Sequence, residues 1–223
     1  MTIAAPQYAL PIIVDPNQHD VFLLRQRIKL VINQYEFFLP GTDGDTPGVA
    51  ESLGPRICFV EQKRFKFKED IRFYIDENKQ QELLRIKARQ RFDPRATYDI
   101  TDENGGKIGE IQKVFGASLL RSTYRINDAS GSELATATEK SLPVALGRRA
   151  VGVVPYVENV ADWLPIPYHF VIRRGDEIIG ENTRHTWKIR DVYTIDMTRD
   201  PQRTLDRRLV LALAVGMDAL QAR

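Results

Sequence analysis

Cysteine is almost missing from this chain. Cys58 stands alone, so no disulfide within the chain is available, and a reducing, cytoplasmic setting is the simpler expectation. Histidine is nearly as scarce. His19, His169 and His185 lie far apart, with no His-x-x-x-His pair, so nothing signals a metal centre. Charge of one sign is also lacking. With 32 Lys and Arg against 30 Asp and Glu the formal net charge is +2, which removes the global field of a dedicated nucleic-acid binder. No apolar run approaches the roughly 20 residues of a membrane-spanning helix. The start, MTIAAPQYALPIIVDPN, has no basic residue, and Pro6 and Pro11 break its apolar run, so it does not read as a signal peptide.

Catalytic signatures are missing too. Ser118 sits in GASLL, which is not the nucleophile elbow G-x-S-x-G. There is no G-x-G-x-x-G and no phosphate-binding loop. Asp43 and Asp45 in GTDGDTPG do not have the spacing of an EF-hand loop. A non-enzymatic protein without cofactor is therefore expected, at most peripheral to a membrane.

What is present is a repeated hairpin. RFYIDENKQQELLRI (72–86), TYDITDENGGKIGEI (97–111) and TYRINDASGSELATA (123–137) share one pattern, and Asp76, Asp102 and Asp128 recur every 26 residues. Each Asp follows an alternating run, Phe73 and Ile75, Tyr98 and Ile100, Tyr124 and Ile126, and precedes a polar turn with a second run beyond it. Asp and Asn bond their own backbone in such turns, and Gly105 and Gly131 take positive φ without steric cost. Period-2 alternation turns one face of each strand inward. Similar runs appear at 33–38, 168–180 and 192–198, giving about ten to twelve strands in a meandering antiparallel sheet.

The C-terminus breaks this pattern. Asp200 and Pro201 suit a helix start, and a helix from there to about Gln221 would be roughly 30 Å long. From Leu209 to Met217 it has no polar side chain, so no face suits water and the segment must be surrounded. Strands are what the chain offers to surround it. The expectation is mainly β: a closed antiparallel β-barrel holding a central hydrophobic helix, with the charged half (Arg203, Asp206, Arg207, Arg208) at or outside one mouth. Residues 1–20 then form an N-terminal extension, and 21–223 one domain.

NQYEFF, IDENKQQELLRI, YDITDENGGKIGEIQK and DRRLVLALAVGMDAL, in that order, resemble the tubby C-terminal-like superfamily, in its branch of LURP-one-related proteins and phospholipid scramblases. The resemblance runs from about Phe22 to Arg223. It implies a twelve-stranded barrel around a C-terminal helix and a non-enzymatic protein, linked in some members to phosphoinositides or phospholipids. The chain departs from the animal scramblases in lacking their cysteine-rich palmitoylated stretch, and TIDMTRDPQRTLD matches their proposed calcium segment poorly.

Two surfaces are candidates for function. In LLRIKARQRF, alternation sets Leu84, Ile86, Ala88 and Phe92 on one face and Arg85, Lys87, Arg89 and Arg91 on the other, cations roughly 7 Å apart. KRFKFK adds Lys63, Arg64, Lys66 and Lys68 between Phe65 and Phe67. Such rows suit anionic phospholipid head groups. A solvated strand face neutralised by neighbours such as Asp76 and Asp99 would carry the same sequence. The second surface is VVPYVENVADWLPIPY (153–168), where Tyr156, Trp163 and Tyr168 sit among three prolines with no Lys or Arg. It suits a protein partner in an interaction scaffold, or a loop plugging a barrel mouth. A small-molecule carrier is disfavoured, because the expected helix fills the interior.

Overall fold

Alternation of buried and exposed side chains is clear in Asp70–Tyr74, Glu82–Ala88 and Glu133–Glu139, whereas Val21–Ile28, Ile32–Pro40 and Leu53–Lys63 carry runs of consecutive buried residues. The computed structural model describes residues 13–28, 32–41, 53–63, 70–89, 97–114, 122–140, 169–184 and 192–221. Among these are twelve strands: β1 (Val21–Ile28), β2 (Ile32–Pro40), β3 (Leu53–Lys63), β4 (Asp70–Tyr74), β5 (Glu82–Ala88), β6 (Thr97–Asp102), β7 (Lys107–Val114), β8 (Thr123–Asp128), β9 (Glu133–Glu139), β10 (Phe170–Arg174), β11 (Glu177–Arg184) and β12 (Val192–Asp196). Each pairs antiparallel with its neighbours in sequence, and β1 pairs with β12, so the sheet closes into a barrel. Closure leaves no unpaired terminal strand.

The interior is built from cross-strand pairs in register. Phe22 faces Ile195, Phe73 faces Leu84, Ile86 faces Ile100, and Ile111 faces both Tyr98 and Ile126. All of them belong to one buried apolar cluster. The three repeats are the hairpins β4–β5, β6–β7 and β8–β9. Asp76, Asp102 and Asp128 accept from the backbone N–H two residues on, at Asn78, Asn104 and Ser130, over 2.8–2.9 Å. Three residues after each Asp the chain takes positive φ, 58° at Lys79, 81° at Gly105 and 93° at Gly131. One turn is thus used three times, once with a lysine where glycine is the easier residue.

An up-and-down order sorts the connections by end. The tight turns at 75–81, 103–106, 129–132 and 175–176 share one end of the barrel, the turn end. The connections that leave β1, β3, β5, β7, β9 and β11 share the other.

One C-terminal helix, α1 (Arg207–Gln221), follows β12. It begins six residues beyond the predicted start, and its 15 residues span about 22 Å. The correction has a local cause. The Asp200 carboxylate accepts from Thr204 Oγ1 at 2.7 Å and Leu205 N at 3.0 Å, which folds 200–205 into a turn instead of a helix. Asp206 is the cap, accepting from Arg208 N at 2.8 Å. Of the charged half, Arg203 is exposed and Asp206 and Arg208 partly so, while Arg207 is 0% exposed. Every residue from Leu209 to Val215 is buried, on all faces of the helix, and joins the same apolar cluster as the strands. The helix contacts β5 and β7. At Gly109 of β7 an added Cβ would meet the two Leu209 methyls at 3.0 Å and Asn127 O at 2.6 Å.

Candidate functional site

On β5 the expected alternation holds: Leu84 and Ile86 are buried, Lys87 is exposed and Arg85 half-buried. The neighbouring strands decide what the cations meet. Lys87 lies in register between Asp70 of β4 and Asp99 of β6, so carboxylates flank the row on both sides. Arg85 forks onto Asp70, Nε to Oδ1 at 2.7 Å and Nη2 to Oδ2 at 2.5 Å. Arg72 joins Asp70 at 3.4 Å and Glu82 at 2.8 Å. Arg89, just past the strand, donates to Asp99 at 2.7 Å and Glu110 at 2.5 Å. Lys107 reaches the same two carboxylates at 3.1 and 2.8 Å, and Asn127 Nδ2 donates to Glu110 Oε1 at 3.0 Å.

The proton affinities follow. Arg89 and then Lys107 hold Asp99 below the usual carboxylate range, against an opposing effect of burial. Partial burial raises Glu110, but Lys107, Asn127 and Arg89 together outweigh it and keep it low. Asp70 is likewise held low by Arg85 and Arg72 against its burial. All three stay ionised near neutral pH, so the face of β4–β7 is a network of matched charges. Lys87 is the stripe cation without an ion pair among the described residues. Of the expected neutralising residues Asp99 takes part, whereas Asp76 is committed to its own turn. Asp70 and Glu110 were missed. The signal was in the hairpin alignment, since laying β4 and β6 beside β5 sets Asp70 and Asp99 against Lys87.

Other candidates fall elsewhere. Lys63 closes β3. Arg64, Lys66, Lys68, Arg91, Tyr156, Trp163 and Tyr168 lie outside the described residues. Their points of attachment are nonetheless fixed. The chain leaves β3 after Lys63 and re-enters at Asp70, and leaves β5 near Ala88 and re-enters at Thr97. Asp70 pairs with Lys87 and Ala88 with Tyr98, so the segments bearing Arg64, Lys66, Lys68 and Arg91 both join the barrel at one place on one end. The connection from β9 to β10, which carries 153–168, joins at the same end.

Within the apolar cluster, Phe170, Ile172 and Ile195 meet Val210, Leu213 and Met217 around a cavity of about 10 Å³, room for no more than one water. Among the described residues no three His, Cys, Asp or Glu side chains converge as a metal site, and no helix is long and apolar enough to cross a membrane. On β4 to β7 the outward-facing charges named above, other than Lys87, are paired. In comparisons with known proteins, the family described as LURP-one-related matches residues 56–218. No curated protein matches the chain.

Proposed function

The chain belongs to the LURP-one-related family, within the tubby-like superfamily, and from that premise we propose that it is a non-catalytic module: a barrel closed around its own C-terminal helix, binding anionic phospholipid head groups. Enclosure of the helix is supported by burial on every face and by apolar contacts with strands as far apart in the barrel as β5 and β10. A filled interior leaves binding to the outside. On the outside, the β5 face is already neutralised by Asp70, Asp99 and Glu110. The strand ends that flank the basic segments, at Lys63 and Asp70 and at Ala88 and Thr97, are neighbours at the end away from the tight turns, and this supports the reading. Each cation near an anionic surface contributes about 1 kcal/mol.

Co-sedimentation with neutral and phosphoinositide-containing vesicles, across a salt series, tests it. The wild type is expected to need acidic lipid and to weaken with salt. Replacing Arg64, Lys66, Lys68 and Arg91 by Ser abolishes binding; replacing Arg85, Lys87 and Arg89 by Ser leaves it in place if folding is intact. Loss only in the second variant returns the site to the strand face. Wild-type binding that ignores acidic lipid overturns the lipid reading. The scaffold reading of 153–168 is then tested by pull-down with Trp163→Ala.

A further inference from the structure

The deepest charged group among the described residues is unrelated to the lipid reading. Arg207 is wholly buried at the start of α1, and all five of its side-chain N–H donors find acceptors. Nε donates to His19 O at 3.3 Å. Nη1 donates to Asp200 Oδ2 at 2.8 Å and Leu205 O at 3.0 Å. Nη2 donates to Asp20 Oδ1 and to Asp200 O, both at 2.8 Å. The first free backbone N–H of the helix, that of Arg207, is taken by Asn17 Oδ1 at 2.8 Å. Arg203 forks onto Asp20 at 3.1 and 3.0 Å. Three partners of the helix start, Asn17, His19 and Asp20, therefore come from a short arm nearly two hundred residues earlier.

That arm is built to hold but adds little to the sheet. Asp15 accepts from Asn17 N at 2.9 Å and sets the 3-10 turn Pro16–Gln18. Strand pairing begins only at Val21, opposite Asp196, preceded by one backbone bond from Met197 N to Asp20 O. Apart from Pro16 and Val14, what the arm shares with the helix and its neighbours is polar. The barrel ladder itself is made of strand-to-strand bonds. Arm and helix can therefore open together with the ladder intact, in the manner of a local unit of lower stability than the whole.

We propose that residues 15–20 are a latch on α1: Asn17 caps it, Asp20 and His19 anchor Arg207, and displacement of the arm loosens the helix while the barrel stays closed. Anything that pulls on the N-terminal extension, a protein partner or a protease, is thereby coupled to the apolar helix. The inference rests on the reading that the helix is enclosed.

Hydrogen–deuterium exchange on the full chain tests both and separates them. In Asn17→Ala and in Asp20→Asn the amides of 211–215 exchange faster by about fivefold or more, the factor given by a lost cap of ordinary strength, while the amides of β5 to β9 keep their wild-type rates. No change in the helix overturns the latch. An equal acceleration of helix and strands also overturns it, because the arm then contributes only to global stability. Helix amides that exchange in the wild type at the rate of a free peptide take down the enclosure reading itself. Glu133→Gln, which removes the remote ion pair with Arg125, leaves both sets of amides unchanged.

Discussion

A buried arginine survives in an apolar interior when every donor is matched and its charge is paired, and Arg207 meets both conditions. Its removal takes the nearest guanidinium from Asp200, which is 3% exposed. Arg207→Met is expected to cost about 3–5 kcal/mol in urea unfolding, the range for breaking a buried pair on one side. Arg207→Lys recovers only part, because an ammonium cannot reproduce the planar fork; a loss below about 1 kcal/mol in either variant would contradict this account. Local sequence could not place this residue. Asp200–Pro201 and Asp206 both satisfy the rules for a helix start. The Asp200 carboxylate turns 200–205 aside, and Asn17 and Asp20, from the other end of the chain, hold the start at Arg207.

At the scale of elements, the hairpins were legible because their cause is local. An Asp that bonds the N–H two residues on, followed by a residue at positive φ, is written in consecutive residues. Gly105→Ala tests that cause. A Cβ there meets nothing within 4 Å, so its cost, about 1 kcal/mol in Tm or denaturant midpoint, comes from φ alone. Gly109→Ala tests contact between elements instead. It forces Leu209 and Asn127 aside and is expected to lose about 1–3 kcal/mol; an unchanged midpoint would mean that β7 and α1 do not pack as described. β1 and β3 were not legible. Leu23 and Phe59 are buried yet lie outside the central cluster, so alternation is hidden, and Pro55 reads as a break. Phe59 is covered by Lys79, whose ammonium stands 5.8 Å from the ring. The alternation of the basic stripe was equally plain in the sequence. Its neutralisation was not, because Asp70 and Glu110 come from two other strands.

For the whole molecule, paired carboxylates set the response to acid. Arg203 and then Arg207 bring Asp20 to about 2, against an opposing effect of burial. Against their burial, Asp200 is held low chiefly by Thr204 and Arg207, and Glu110 chiefly by Lys107 and Asn127; Asp99 is lowered foremost by Arg89. Each binds its proton more weakly folded than unfolded. Their stabilisation is complete above the unfolded values, about 4, and is lost as pH falls through the folded ones. Tm is therefore expected to drop steadily from about pH 4 towards 2, with the loss reduced in Asp99→Asn. A Tm that rises over that interval would contradict the assigned pairs. The same surface explains why lipid binding is sought at one end: the side wall between β4 and β7 has already matched its charges.

The central claim is that the helix occupies the interior, so that any ligand is met outside. Single cysteines at Leu211, Ala212, Leu213 and Ala214 sample the helix circumference at about 100° intervals, and thiol labelling of the native protein reads each in turn. Cys58 is the internal standard, fully buried with its thiol pushed up by that burial. The account predicts that all four resist labelling as Cys58 does until the protein unfolds. A helix lying on the outside of the sheet would leave at least one of the four reacting at the rate of an exposed thiol, and that result would contradict it.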